Sequence, residues 1–432
     1  MVCAVLLAAS PPLALAGCST PRTLAIDNQG HGIEVIPLKT YVTLQSNFMM
    51  WLANVDGVRA INAIDCYRVI YLSMDDSGKP ITLSGMLALP HDATPHGLVS
   101  FQHGTTSDRD SVPSSLSTDG LAAAILFSGN GYATIAPDYV GLGISKKPHP
   151  YYIAQDTERA VVDMIHAVRH IEGVPKSPPL LVGFSEGGYA SLAAQRVMEA
   201  TEEPVLATAA IAGAYNLRSI SVPWTLKGAS VQASVYLALW VRGYAEHYGH
   251  PLDSAFTPYY AKLVPELFDT SHDPDAVVKA LPRDPKELFQ PAALGALEGR
   301  GQHWLVDALT ENEMSDWRAR APIRLYYGSN DVDVPPTEAT TTARQMATRG
   351  SDIQAVATGA QDHNQSVLAA APMILRWFQT FAPTHPSSAD GPRSFYQTRD
   401  GRVRCSRPRC PAASSPPNRI PTDPDDAVDK SW

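Results

Sequence analysis

From Tyr67 to Ala382, short apolar runs alternate with amphipathic stretches, and this rhythm limits the possible folds more than any other feature of the sequence. The runs Leu98–Gln102, Tyr132–Ala136, Leu180–Phe184, Val205–Ala212, Ile323–Tyr327 and Ile353–Ala357 are short and almost continuously apolar. Strands buried on both faces read this way. Between them Asp119–Ser128, Ala154–Ile171, Tyr189–Met198, Thr337–Ala347 and Gln365–Phe381 read as helices. In the second of these, Val161, Met164, Ile165, Val168 and Ile171 recur three and four apart. Tyr67–Met74 and Ile81–Leu89 read as a hairpin around the turn Asp75-Asp76-Ser77-Gly78. The alternation implies an α/β fold: a mostly parallel central sheet with helices on both faces.

The rhythm stops between Ala214 and Ala321. This stretch reads as mainly helical and holds Trp224, Trp240, Trp304 and Trp317, four of the seven tryptophans. It is too long for a structureless loop inside a domain. The expectation is an inserted helical cap over residues 214–321, dividing the core into residues 67–213 and 322–383; a second domain unrelated to the site is the alternative. Residues 18–66 form an N-terminal segment. Residues 384–432 hold eight prolines and an arginine cluster, and are expected to be a disordered tail. Cys405 and Cys410 suit a small disulfide loop in an oxidising compartment, with free thiols as the alternative. Cys66 reads as a small buried hydrophobe. A net charge of −9 without a long basic stripe argues against a nucleic-acid partner. Past residue 20 no apolar run is long enough to span a bilayer.

Residues 1–17 are apolar or small and read as a signal peptide. They end in Leu15-Ala16-Gly17-Cys18, which resembles the bacterial lipoprotein signal. The resemblance implies lipidation of Cys18, membrane attachment through it and a place in the cell envelope. Ordinary secretion and a cytoplasmic place are the alternatives.

The segment that carries chemistry is Gly183-Phe184-Ser185-Glu186-Gly187-Gly188. It joins an expected strand to an expected helix, the setting in which G-x-S-x-G presents a serine nucleophile at a sharp turn. A serine that only caps the helix is the simpler reading. A nucleophilic serine needs a base, and the base needs an orienting acid. Asp331 and Asp333 both follow the strand Ile323–Tyr327, and His363 follows the strand Ile353–Ala357.

Three further motifs accompany that turn: His103-Gly104-Thr105, Asp138-Tyr139-Val140-Gly141-Leu142-Gly143 and His149-Pro150-Tyr151. With them, residues 67–382 resemble the α/β-hydrolases, and more narrowly the secretory lipase and esterase family. The resemblance implies an α/β-hydrolase fold and hydrolysis of small-molecule or lipid carboxylic esters through an acyl-enzyme, with no metal and no cofactor. It implies the chain order serine, acid, histidine, which selects His363 over His385 in the proline-rich tail. The pattern Gly328, Asp331, Val334-Pro335 favours Asp331 as the acid, leaving Asp333 to brace the turn. The oxyanion hole then falls to the amides of Glu186 and Thr105. Asp138 is expected to brace the neighbouring loop. His166 and His170 are four apart but point away from the apolar stripe and lack an intervening Glu, so no zinc site is expected. Tyr236, Trp240, Tyr244 and Tyr248 recur at helical spacing, as a packing face or an acyl-binding wall. Two other functions share these features. A serine aminopeptidase needs an acidic pocket in the cap, for which Glu246 and Asp253 are candidates. A non-catalytic surface binding protein needs no triad.

Overall fold

The computed structural model describes residues 32–381 apart from 56, 270 and 271, together with the strand backbones Arg22–Ile26, Ser394–Gln397 and Val403–Ser406. Residues 1–17, Cys18, His385 and Cys410 lie outside the described residues, and with them the signal, the lipidation site and the expected disulfide. Ten strands form one sheet: β1 (Arg22–Ile26), β2 (Gly32–Tyr41), β3 (Ile64–Met74), β4 (Pro80–Pro90), β5 (Leu98–Gln102), β6 (Ala133–Pro137), β7 (Leu180–Phe184), β8 (Ala207–Ile211), β9 (Ile323–Tyr327) and β10 (Ile353–Ala357). Their order across the sheet is β1-β2-β3-β4-β6-β5-β7-β8-β9-β10. The first four strands and the β4/β6 pair are antiparallel, and every pair from β6 to β10 is parallel.

Helices cover both faces. Of the twelve among the described residues, α1 (Thr43–Leu52), α2 (Thr118–Phe127), α3 (Ala154–Val168) and α4 (Glu186–Ala200) precede β8, while α11 (Pro336–Thr348) and α12 (His363–Gln379) follow β9. Between β8 and β9 lie α5 (Val222–Thr225), α6 (Ala233–Tyr248), α7 (Pro258–Leu267), α8 (Pro274–Ala280), α9 (Pro291–Leu297) and α10 (Trp304–Glu311). In β7, Leu180 and Val182 pack toward α2 and α12, while Leu181 packs toward α3 and α4. A strand with apolar neighbours on both sides has no place for a polar face, hence the uninterrupted apolar runs. The periodic stripe of α3 is buried as its spacing predicts. The inserted helices share a core with α4 and α11, so the insertion is packed onto the sheet scaffold.

Several details depart from the sequence expectations. The N-terminal segment is part of the sheet, since β2 pairs antiparallel with β3. Ser117, not Asp119, caps α2, accepting from the Gly120 amide while Asp119 sits in the first turn. The helix after the nucleophile turn begins at Glu186, three residues earlier than expected, and the last helix begins at His363. The tail contains order where none is expected: β11 (Ser394–Gln397) and β12 (Val403–Ser406) pair antiparallel. Cys66 is buried on β3, and burial pushes its thiol up to about 12, so it behaves as a hydrophobe. Among the described residues no helix is long and apolar enough to cross a membrane.

Candidate active site

Ser185 stands between β7 and α4 with φ 56° and ψ −119°. A non-glycine residue rarely occupies this region, at a cost of about 1–3 kcal/mol. The turn is held from both sides. The Ser185 amide donates to the Ile211 carbonyl on β8 at 2.8 Å. Gly183 and Gly187 are required by close approach: a Cβ at Gly183 would lie 2.0 Å from the Gly187 oxygen, and one at Gly187 would lie 2.0 Å from the Gln102 oxygen. Ser185 occupies the N-cap position of α4, yet its side chain makes no capping hydrogen bond. The hydroxyl faces His363 instead, 3.0 Å from Nε2.

His363 is the first residue of α12. Asp362 caps that helix, accepting from the Gln365 amide at 2.8 Å, with the Gln365 side chain returning to the Asp362 amide. This capping box fixes the backbone that carries the imidazole. His363 Nδ1 lies 2.8 Å from Asp331 Oδ2. Asp331 Oδ1 accepts the amides of Asp333 and Val334, each at 2.9 Å. All three side chains are buried. Burial works against a charged ring, but the hydrogen bond and charge of Asp331, with Asp333 and Asp362 behind it, prevail and hold His363 above the ordinary histidine value. With Asp331 ionised, Nδ1–H donates to it, and Nε2 is left to accept the serine proton.

Asp333 does not brace its own turn, as the sequence suggests; Asp331 does that with the oxygen His363 leaves free. Asp333 reaches the inserted helices, where Oδ1 accepts the hydroxyls of Ser230 at 2.6 Å and Tyr236 at 3.0 Å. One residue earlier, Trp224 Nε1 donates to the Val332 carbonyl at 2.9 Å. The insertion therefore grips the loop that presents Asp331.

Tyr151, Tyr152, Ala214, Tyr236, Trp240 and Val334 enclose the space over Ser185, with Asp333 on the same wall. That space is only about 20 Å³, close to the room one water needs. The four cap aromatics on α6 divide into two pairs. Tyr236 and Trp240 face the cleft. Tyr244 is buried with its hydroxyl donating to the Tyr152 carbonyl at 3.1 Å, and Tyr248 accepts from Asn312 Nδ2 at 2.8 Å. Neither Glu246 nor Asp253 lines the cleft.

Beside the nucleophile lies a buried pair that sequence reasoning does not assign. Glu186 Oε1 is 2.8 Å from His149 Nε2, and His149 Nδ1 donates to the Val140 carbonyl at 2.8 Å. Both ring nitrogens face acceptors. Burial disfavours the charged ring, but Glu186 and the Val140 carbonyl outweigh it and keep His149 above its ordinary value. The signal is the motif His149-Pro150-Tyr151, whose partner 37 residues away no local pattern reveals. The Tyr139 ring stacks on His103 at 4.3 Å and lies 6.2 Å from His149. Its hydroxyl donates to the His103 carbonyl at 3.1 Å, fixing the loop that leads to Thr105. Thr105 Oγ1 meets the Tyr151 hydroxyl at 2.9 Å, so this loop borders the cleft. The Glu186 amide opens α4, where amides lack intrahelical acceptors. Asp138 is fully buried and accepts the Ser84 hydroxyl at 2.5 Å and the Ser114 amide at 2.9 Å, so it ties β4 to the segment before α2.

Asp331, Asp333 and His363 place one ligand atom each within 4.8 Å of one another, the spacing of a metal cluster. Each is already engaged: His363 through both nitrogens, Asp331 through both oxygens, and Asp333 through Oδ1. The donor set therefore does not fit a metal without dismantling the triad. His166 pairs with Glu203 at 2.8 Å, and His170 lies beyond the end of α3.

No curated protein sequence matches the chain. Among solved structures, a protein of Legionella pneumophila subsp. pneumophila superposes with a TM-score of 0.76 at 24% identity, over 80% of this chain and 97% of that one. The rice cell wall degrading esterase LipA from Xanthomonas oryzae gives 0.69 at 22% identity, over 81% and 97%. Candida antarctica lipase A in its closed state gives 0.58 at 14% identity, over 81% and 82%. At these identities the likeness is one of fold, and the fold is that of an α/β-hydrolase. The family model described as serine aminopeptidase, S33, matches residues 95–360, from β5 past β10 and through the loops that carry Ser185 and Asp331. By that match the chain belongs to the S33 family of α/β-hydrolases and is a serine hydrolase.

Proposed function

We propose that the protein hydrolyses carboxylic esters through an acyl-enzyme formed on Ser185. The observation that carries this reading is the unbroken hydrogen-bond chain Ser185–His363–Asp331 beneath an aromatic cleft. His363 Nε2 takes the hydroxyl proton as Ser185 Oγ attacks the ester carbonyl, and Asp331 stabilises the imidazolium that forms. The carbonyl electrons move to oxygen, which the amides of Glu186 and Thr105 receive. One such donor lowers the barrier by about 2.7–4 kcal/mol in related chemistry. The tetrahedral intermediate then collapses, and the leaving alkoxide takes the proton from His363. Water repeats the sequence on the acyl-enzyme, returning Ser185 and releasing the acid.

Apolar, aromatic walls favour an uncharged arm of an ester over a peptide. Two of the fold relatives are named as an esterase and a lipase, which supports the same substrate class. One observation favours a second reading, the aminopeptidase: Asp333 presents a carboxylate to the cleft, where a free amine would find a counter-ion. Two hydroxyls already share its Oδ1, which weakens that reading. Rates on p-nitrophenyl esters against aminoacyl p-nitroanilides decide between them. Ester turnover that disappears in Ser185→Ala, together with fluorophosphonate labelling, is expected. Faster anilide cleavage would overturn the ester reading, and labelling that survives the substitution would move the nucleophile.

The sequence Leu15-Ala16-Gly17-Cys18 supports a lipoprotein of the bacterial envelope. Expression in a bacterium should yield a detergent-phase protein with lipid mass on Cys18, lost in Cys18→Ser. An unmodified, aqueous-phase mature protein would overturn this.

A further inference from the structure

A larger space than the cleft is bordered by the loops that flank the active site, without touching Ser185 itself. It is a cavity of about 210 Å³, bordered by Thr106 and Arg109 of the loop after β5, Lys146 and His149 of the loop after β6, and Arg242 of α6. Leu142, Leu239 and Phe268 supply an apolar floor. We propose that this cavity is an anion subsite, in which Arg242, Arg109 and Lys146 receive a carboxylate or phosphate group carried by the substrate. The proposal rests on the ester-hydrolase reading and names the class of ester.

Three observations carry it. The first is charge. The lining carries Arg109, Lys146, Lys147 and Arg242 against one carboxylate, Asp269. Arg242 is half-buried; Glu246 and Asp269 favour its charge, Arg109 opposes it, and His149 is close enough to feel it. Like charges gathered in a partly dry recess oppose one another, and an anion between them relieves that opposition. The facing acids are few. Asp269 borders the cavity but is held by His272 Nδ1 at 3.0 Å, Glu246 stands one turn along α6 outside the cavity lining, and Lys147 on the rim is bound by Asp75.

The second is position. Thr105, the candidate oxyanion donor, contacts Tyr151 of the cleft, and the next residue, Thr106, borders the cavity. Consecutive Cα atoms are about 3.8 Å apart, so one loop borders both the cleft and the cavity. On α6 the division is just as close: Trp240 faces the cleft, and Leu239 and Arg242 face the cavity.

The third is asymmetry. Among the described residues the cleft is lined by the Asp333 carboxylate and by no cation, so an anionic group is repelled there and attracted to the cavity. A substrate with one uncharged arm and one anionic arm has a single favourable orientation across Ser185.

The test compares mono-p-nitrophenyl glutarate with p-nitrophenyl butyrate on the full chain, wild type and Arg242→Gln. The wild type should favour the glutarate ester in kcat/KM, and Arg242→Gln should cut the glutarate-to-butyrate ratio about tenfold or more, as loss of a charge-assisted hydrogen bond does. The preference should weaken as salt is raised. Inhibition of butyrate hydrolysis by glutarate or by inorganic phosphate tells which anion is preferred. A ratio that favours the neutral ester, or one that Arg242→Gln leaves unchanged, overturns the subsite. If no ester is turned over, the ester reading fails by itself. Calorimetry of phosphate and glutarate on Ser185→Ala, with and without Arg242→Gln, then decides the subsite separately: binding lost with Arg242 supports it, and no binding overturns it.

Discussion

Replacing Asp331 by Asn should collapse turnover, and the structure says why an isosteric change is so damaging. Asp331 Oδ1 accepts two backbone amides, from Asp333 and Val334, while Oδ2 accepts His363 Nδ1–H. An asparagine has one oxygen and one NH₂ group. Two fixed amide donors demand the oxygen, so the NH₂ group is turned toward His363. A donor facing Nδ1 selects the tautomer with the proton on Nε2, and Nε2 then cannot accept from Ser185. The expected loss in kcat is about 10⁴-fold, or about 5.5 kcal/mol of barrier. Asp333→Asn behaves differently, because both of its partners are hydroxyls that an amide oxygen can still accept. Weakening them costs about 1 kcal/mol, at most about tenfold in rate. Both variants should be assayed with p-nitrophenyl butyrate, with thermal unfolding as the control for folding. The pH profile adds an independent check. Wild-type kcat/KM should fall on the acid side as His363 gains a proton, with a midpoint above the ordinary histidine value. Without the Asp331 charge that midpoint should move to lower pH. A larger turnover loss in Asp333→Asn, or an acid limb that does not move in Asp331→Asn, would refute the assignment.

Trp240→Ala should widen the cleft, shifting preference toward esters with a bulkier uncharged arm, and lower stability by about 3–5 kcal/mol because the ring is buried; a series of ester sizes and thermal melts read the two effects separately. Glu186→Gln should cost about 3–5 kcal/mol by leaving His149 without its buried counter-ion. It should also slow turnover, since Glu186 directly follows Ser185 and its side chain anchors the start of α4 to His149. A double variant with His149→Gln should recover part of the stability, and a fully additive loss would refute the pairing. Gly187→Ala should prevent the native turn, because its Cβ would lie on the Gln102 oxygen; an active, normally melting variant would show that the backbone yields.

Features set by local pattern are legible in the sequence, and those set by distant partners are not. Ser185 and His363 sit on short turns between an apolar strand and a helix, so position and chemistry coincide within a few residues. The strand β2 is hidden because Pro37 interrupts it, and a proline argues against a sheet strand. In the structure, the pairing with β3 shifts register between Pro37 and Lys39, which accommodates the missing amide donor. The helix α1 is hidden because Leu44, Phe48 and Trp51 are exposed, so no continuous apolar stripe faces a core. The start of α4 reads late because Gly187 and Gly188 look like loop, whereas Gly187 is demanded by the passing strand. The role of Asp333 escapes sequence reading for a related reason. Its partners lie 103 and 97 residues away on the insertion, and only folding brings them to the loop.

The arrangement joins two requirements that pull against each other. The nucleophile must be strained, and the strain must not relax by releasing the serine into a cap. At Ser185 the hydrogen bond to Ile211 and the packing of Gly183 and Gly187 hold the backbone, so the hydroxyl is kept for His363. The acid side is held from the insertion, through Asp333 and Val332. Yet the same insertion leaves about 20 Å³ over Ser185, too little for an acyl group. Substrate entry must therefore move part of the lining, and one lining residue, Tyr236, also carries one of the two hydroxyls on Asp333. Movement of Tyr236 reaches the amides that cradle Asp331 through a single residue, whereas the Ser185 backbone is tied to β8. The triad thus has a rigid nucleophile half anchored in the strands and an acid half that feels the occupancy of the cleft.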